Sequence, residues 1–117
     1  MGKELYWLGS ARTDIRSFPA DARRQAGYQL HRVQEGLDPT DWKPMTSIGT
    51  GVREIRIRIG TAHRVFYIAR FAEAIYVLHA FEKRSRKAAL KDLNIARERY
   101  RELLEARRKK GTHAKKD

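Results

Sequence analysis

The stretch His63–Ala89, HRVFYIARFAEAIYVLHAFEKRSRKAA, sets two runs of apolar residues back to back and follows them at once with Lys83, Arg84, Arg86 and Lys87. Valine, isoleucine, tyrosine and phenylalanine fit a pleated, half-buried surface, so HRVFYI and AIYVLHAF read as strands, with a turn near Ala72-Glu73. The segment before them changes period. Ile55, Ile57 and Ile59 alternate with Glu54, Arg56 and Arg58, as a strand with one wet face requires. Gly60-Thr61 supplies the tight turn between this strand and the next. Three consecutive strands joined by short turns make an antiparallel meander, and the meander decides the fold.

Outward from it, the N-terminal part is helical after one short strand, KELYWL. SARTDIRSF reads as a helix capped by Ser10, whose side-chain oxygen can satisfy a free backbone N–H. Pro19 opens a second helix, on which Ala22, Ala26, Leu30 and Val33 form one apolar stripe ending near Gly36, while Arg23, Arg24 and Arg32 show on the other side. Residues 36–51, rich in Pro, Gly and small polar residues, read as a loop anchored by Trp42 and Met45. After the meander, residues 86–110 return to helical spacing, with Leu90, Leu93, Ala96 or Arg97, Tyr100 and Leu104 on one face. Gly111 is expected to end that helix. The expected class is therefore α/β (α+β): a small antiparallel sheet with N-terminal helices and a C-terminal helix. The helices are expected to cover one face and leave the other partly open. Residues 1–108 form one domain, and 109–117 a basic flexible tail.

Charge points to the kind of partner. The 117 residues carry 26 Lys and Arg against 14 Asp and Glu, a formal net charge of +12. Residues 81–117 alone carry 14 basic and 6 acidic side chains. Such an excess favours a polyanion, with nucleic acid ahead of an acidic protein or a membrane surface. The chain has no cysteine, which excludes a disulfide framework and a thiolate zinc site. No apolar run approaches the roughly 20 residues that span a bilayer. MGKELYWLGS lacks a signal-peptide core, so a cytoplasmic protein without a membrane partner is expected. No cofactor and no small-molecule ligand is expected either.

Arg64 is the most informative cation. It stands inside an apolar strand, where a charge is either paired, with Glu54 or Glu82, or functional. His79, Phe81 and Lys83 share strand parity. His79, Tyr67 and Tyr76 are also ordinary packing residues, and Arg56 and Arg58 ordinary solvent-facing ones. Taken as a site, these residue types suit RNA cleavage by the ribose 2′-hydroxyl. That reaction needs alignment, proton transfer and cations on the phosphorane, with arginine forks best matched to its oxygens. The meander holds no carboxylate cluster suited to two Mg²⁺ ions and no histidine pair at ligand spacing, so no metal is expected. From the residues alone, a basic nucleic-acid-binding domain and a metal-free ribonuclease both stand.

The stretches VREIRI, HRVFYIARFAEAIYVLHAFEKRS and, more loosely, ARTDIRSFPADARRQAGYQL resemble the phage-derived, HigB-like branch of the RelE/ParE toxin superfamily, from about Tyr6 to Leu104. The resemblance implies a RelE-like fold and a type II toxin that cleaves mRNA in the ribosomal A site. It also implies a cognate antitoxin with a helix-turn-helix domain. Arg64 matches the family arginine that contacts the scissile phosphate, and Arg56 the basic position one strand earlier. Lys83 and Arg84 fall where the family keeps basic residues after its last strand. His79 belongs to the branch motif LHAF. The family often has Tyr-Arg where this chain has His63-Arg64, and a histidine there can serve as acid or base near neutral pH. Arg64, Lys83, Arg56, His79 and His63 are thus the catalytic candidates. Arg58, Arg84, Arg86, Lys87 and Lys91 are the candidates for holding RNA or the ribosome. A non-catalytic RNA- or ribosome-binding protein and a ParE-like gyrase inhibitor are the alternatives.

Overall fold

The computed structural model describes residues 2–116, with side chains throughout except at 86–88 and 112–116. The elements run β1 (Glu4–Trp7), α1 (Ala11–Arg16), α2 (Ala20–Gln34), β2 (Trp42–Pro44), β3 (Val52–Ile59), β4 (Thr61–Ile68), β5 (Ala74–Lys83) and α3 (Arg86–Lys116). They build one five-stranded sheet in the order β1-β5-β4-β3-β2. The meander β3-β4-β5 is antiparallel as its alternation and short turns require, and β1 joins it parallel to the first half of β5. Gly60 turns β3 into β4 at φ 68°, a backbone conformation that costs glycine nothing.

Helices lie on both faces of the sheet, not on one. Ala22, Ala26, Leu30 and Val33 of α2 pack with Ala11 and Ile15 of α1 onto Ile55, Ile57, Val65, Tyr67, Ile75 and Val77. Ala96, Tyr100 and Leu103 of α3 pack onto the opposite face, over Val52, Phe66, Ile68, Ala74, Tyr76 and Leu78. The cause is the apolar content of the two central strands. From His63 to Ile68 and from Ala74 to Phe81 every residue is buried, so both faces need a cover. The cover by α3 is partial. It crosses β5 and the β3-start, β4-end corner of the sheet, leaving the opposite corner open at Arg56 and Arg58, with Arg64 buried beside them.

Several local details differ from the sequence reading. Residues 42–44 of the expected loop form an edge strand, β2, antiparallel to β3. Ser10 does precede α1, but its hydroxyl donates to the Asp14 carboxylate at 2.7 Å and makes no side-chain cap. The α3 stripe is Leu93, Ala96, Tyr100, Leu103 and Leu104, whereas Leu90 is more than half exposed. That helix also continues through Gly111 to Lys116. Gly111 is absent from the glycines of positive φ, and an interior glycine costs a helix only about 1 kcal/mol. The C-terminal half of α3 is fastened by Arg107. Its guanidinium sits 3.6 Å over the Phe71 ring and forks onto Glu73 at 2.7 and 3.0 Å, while the Tyr76 hydroxyl donates to the same carboxylate.

Candidate functional site

Strand pairing brings the basic residues together. On the α3 face, Arg56 of β3 lies directly opposite Arg64 of β4, which lies opposite Phe81 of β5. The next row toward the strand ends is Arg58, Ala62 and Lys83, and the row on the other side is Lys43, Glu54, Phe66 and His79. Arg56, Arg58, Arg64 and Lys83 therefore share one corner of one face.

A bulge makes this possible. Phe66 pairs with His79 but its neighbour Tyr67 pairs with Val77, so β5 has one extra residue at Leu78. An extra residue reverses the alternation of everything beyond it. Up to Leu78 the even-numbered residues of β5 face α3. Past it, His79, Phe81 and Lys83 take that face, and Ala80 packs with α1 and α2.

Within the corner the electrostatics centre on Glu54. This carboxylate is buried and its Oε1 accepts from Arg56 Nε at 3.2 Å, with Arg64 Nε 3.6 Å away. Arg64 is buried as well and donates from Nη1 to the His63 carbonyl at 3.2 Å. Burial pulls its proton affinity below the usual arginine value; Glu54 opposes that shift, and Arg56 and Arg58 reinforce it. The guanidinium stays charged regardless, as arginines in proteins do. At the rim, Arg58 reaches the Asp41 carboxylate at 3.3 Å, and the Asp41 carbonyl accepts the Arg56 N–H at 2.9 Å. Two directly opposed arginines with a third beside them form a concentrated positive patch, matched in shape to the oxygens of a phosphate.

His79 is buried on the same face, but its ring nitrogens are engaged. Nε2 lies 2.7 Å from Asp92 of α3, and Nδ1 has Arg99 at 3.4 Å and the Asp14 carboxylate at 3.9 Å. The ring stacks on Phe81, which flanks Arg64. His79 thus ties α1 and α3 to β5 behind the arginines. His63 goes elsewhere. It points to the α1/α2 face, 1% exposed, with its ring 4.5 Å from Phe18 and its Nδ1 3.1 Å from the Thr61 carbonyl. The sheet itself separates it from Arg64, because neighbours in a strand face opposite ways.

Lys83 is exposed at the end of β5. Arg84 is exposed just past it and paired with Glu82 at 2.8 Å, and Glu82 also takes the Thr61 hydroxyl. Lys91, on the first turns of α3, lines a groove of about 520 Å³ with Phe18, His63, His79, Phe81, Glu82 and Asp92, so the groove brings both histidines near one edge while His63 itself stays buried. The groove follows the edge of β5 beyond Val77, where β1 no longer pairs. Arg86 and Lys87 lie outside the described side chains. Asp41 and Lys43 belong to the corner although the sequence reading assigned them no part in it, and Glu54, expected there only as one of two possible partners for Arg64, stands at its centre. Glu54 carried a signal, a carboxylate two residues before Arg56 on the same strand face. Lys43 carried none while residues 36–51 read as loop.

Among the described residues, no group of three or more His, Asp or Glu side chains is placed to hold a metal ion, and no helix is long and apolar enough to cross a membrane.

The sequence model of phage-derived Gp49-like proteins matches residues 13–101. No curated protein sequence is detectably similar to the chain. Among solved structures, the fold is similar to that of a double arginine-to-alanine mutant of E. coli toxin RelE in the free state, with a TM-score of 0.60 and 15% identity over 80% of this chain and 97% of that one. The toxin–antitoxin complex RelBE2 from Mycobacterium tuberculosis aligns with a TM-score of 0.47 and 18% identity, over 71% of this chain and 100% of that one. The architecture is thus a RelE-like fold.

Proposed function

The chain belongs to the phage-derived Gp49-like family, and we propose that it is the toxin of a type II toxin–antitoxin pair, an endoribonuclease that cleaves mRNA in the ribosomal A site. The observation that carries this reading is the gathering of Arg56, Arg58, Arg64 and Lys83 at one corner of a RelE-like sheet, where Arg56, Arg58 and Lys83 reach solvent around a buried Arg64.

In the proposed reaction the ribose 2′-oxygen attacks phosphorus and the bond to the 5′-oxygen breaks. The 2′-hydroxyl loses its proton, the leaving oxygen gains one, and the products are a 2′,3′-cyclic phosphate and a 5′-hydroxyl. Arg64 and Arg56 stabilise the phosphorane, where charge on the equatorial oxygens exceeds that of the ground state. Lys83, a point charge on a flexible stem, reaches the same phosphate from the β5 end. His79 holds Phe81 and the start of α3 in place, and His63 has no contact with the reacting groups. Arg58, Arg84 and Lys91 bind flanking phosphates, together with Arg86 and Lys87. The ribosome supplies the alignment of the RNA that so small and open a corner lacks. A helix-turn-helix antitoxin, encoded beside the toxin, is the proposed partner that silences it, and the cytoplasm is the compartment in which both act.

Induction of the protein in cells, followed by mapping of mRNA 5′ ends, tests the reading. Cuts confined to translated regions and phased with codons support it. Intact mRNA accompanied by gyrase-dependent DNA breaks would assign the chain to the gyrase inhibitors. Intact mRNA with stalled ribosomes would make it a binding protein without chemistry.

A further inference from the structure

A carboxylate at the centre of an anion-binding corner needs a reason. Glu54 lowers the positive potential at the place where Arg56, Arg58 and Arg64 raise it, and by charge alone its presence opposes phosphate binding. One explanation is charge compensation for Arg64, which is buried and costly to leave unpaired. The distances do not favour that as the whole account. The closer contact, 3.2 Å, goes to Arg56, whose side chain is 27% exposed and needs no such compensation, while the buried Arg64 stands at 3.6 Å. Both arginines present the same atom, Nε, to the same oxygen, Oε1.

Resting on the reading of this corner as a phosphate site, we propose that Glu54 is its positioning residue: by accepting a hydrogen bond from Arg56 Nε and attracting the nearby Arg64 Nε, which has no hydrogen-bond partner among the described residues, it turns their Nη ends outward as a paired fork for a phosphate. Like charges directly opposite across a strand pair repel, and Arg56 and Arg64 are such a pair. Without a shared anion the two guanidiniums swing apart. With one, they are held side by side before the ligand arrives. Arginine carries large rotamer entropy, so fixing it in advance lowers the cost of binding when the phosphate enters. The donors left over fit this role. Among the described residues the Nη groups of Arg56 make no hydrogen bond, and Arg64 uses only Nη1, on the His63 carbonyl. Glu54 itself touches no substrate in this arrangement and acts through the two arginines.

The sign of one substitution separates positioning from charge. Inorganic phosphate is titrated into the full-length protein labelled with ¹⁵N, and the arginine Nε–H resonances are followed. For Glu54→Gln, Coulomb's law alone gives tighter phosphate binding, about fivefold even at the dielectric constant of bulk water for charges about 4 Å apart. Positioning gives the opposite, binding weakened roughly tenfold as the charge-assisted fork is lost. Arg56→Lys, at a partly exposed position, keeps the charge without the fork and is expected to weaken binding in the same direction. Glu54→Asp, which keeps the charge but withdraws the carboxylate from Nε, decides the matter if Glu54→Gln does not fold: positioning gives weakened binding, and charge alone gives no loss. Tighter or unchanged phosphate binding in the folded variants overturns the proposal, and so does a wild-type protein that does not bind phosphate at millimolar concentration. The assay contains no RNA. A protein that binds phosphate through the Glu54-held pair but leaves mRNA intact would keep this inference and remove the ribonuclease reading.

Discussion

The two faces of the sheet at the β3–β4 hairpin are built from the same strands and do opposite things. On one, Ile55, Ile57, Val65 and Tyr67 lie under α1 and α2 with His63 sealed among them. On the other, Arg56 and Arg58 stand open past the reach of α3, with Glu54 and Arg64 buried beside them. Apart from Tyr67, every residue of the first set is one step along the chain from a residue of the second. The difference teaches that function here depends on which helix stops short. A strand pair buried on both faces has no surface to offer, and α3 reaches β5 without crossing the Arg56–Arg64 corner. The sealed face supplies stability so that the open one can hold like charges together.

Breaking the open face is expected to have the largest effect. Arg64→Ala removes a donor from the proposed transition state, and a loss of 10²–10³-fold in cleavage rate is the order of magnitude for one such group. Single-turnover cleavage on programmed ribosomes measures it. Glu54 keeps Arg56 as a partner in that variant, so the protein should still melt cooperatively. A rate loss that merely tracks the unfolded fraction would instead make Arg64 a structural cation.

Breaking the sealed face should give the reverse pattern. Leu30 of α2 is 1% exposed in the core beneath β3 and β4. Leu30→Ala is expected to cost about 2–5 kcal/mol through lost burial and a residual cavity. Denaturant melts report it, and cleavage per folded molecule should be unchanged. If stability holds while the rate falls, the two faces are not separable in the way described here.

The covering helix has its own fastening. The Arg107 fork holds the Glu73 carboxyl well below its ordinary range, at about 2, against 4.5 for a free glutamate. A carboxyl depressed in the folded state stabilises the fold above its unfolded value and loses that contribution as pH falls through the folded one. The stabilisation is therefore complete above about pH 4.5 and lost on the way down to about pH 2. Both side chains are a third or more exposed, so solvent screens the pair and the effect is modest. Melting wild type and Glu73→Gln across that window should show a small gap at neutral pH that closes as the solution is acidified. A gap independent of pH would mean that Arg107 acts through Phe71 alone.

The smallest effect is expected at the rim. Arg58, paired with Asp41 and largely exposed, should contribute one phosphate contact. Arg58→Ala should then reduce the slope of log affinity against log salt by about 0.7–0.9 in ribosome binding. An unchanged slope would leave Arg58 a solubilising charge.

Much of the fold was legible because period reports burial. The alternation of isoleucine with arginine in β3 gave both the strand and its two faces, and Ala22, Ala26, Leu30 and Val33 gave the buried side of α2. The position of α3 was not legible, since the buried stripes of the helices do not say which face of a two-sided sheet each one covers. The short strand β2 lacked a pattern of its own and exists because β3 offers it an edge. In the site, Arg56 and Arg58 followed from alternation. The separation of His63 from Arg64 was also available from strand parity, since the two are adjacent. The alignment of Lys83 with Arg58 depends on the bulge at Leu78, and one extra residue in a run of apolar side chains leaves no compositional trace. Glu54 was visible only as a neutralising charge until its two contacts to Nε were seen together.

The most direct test of the central claim, that the uncovered corner holds an RNA phosphate for attack by its own 2′-hydroxyl, is the chemistry of the cut ends. Messenger RNA is cleaved by the wild-type protein on programmed ribosomes, and both new termini are identified by mass spectrometry, with Arg64→Ala as control. The expected result is a 2′,3′-cyclic or 3′-phosphate facing a 5′-hydroxyl, absent in the control. A 3′-hydroxyl facing a 5′-phosphate would contradict the account, as would cleavage that persists at full rate without Arg64.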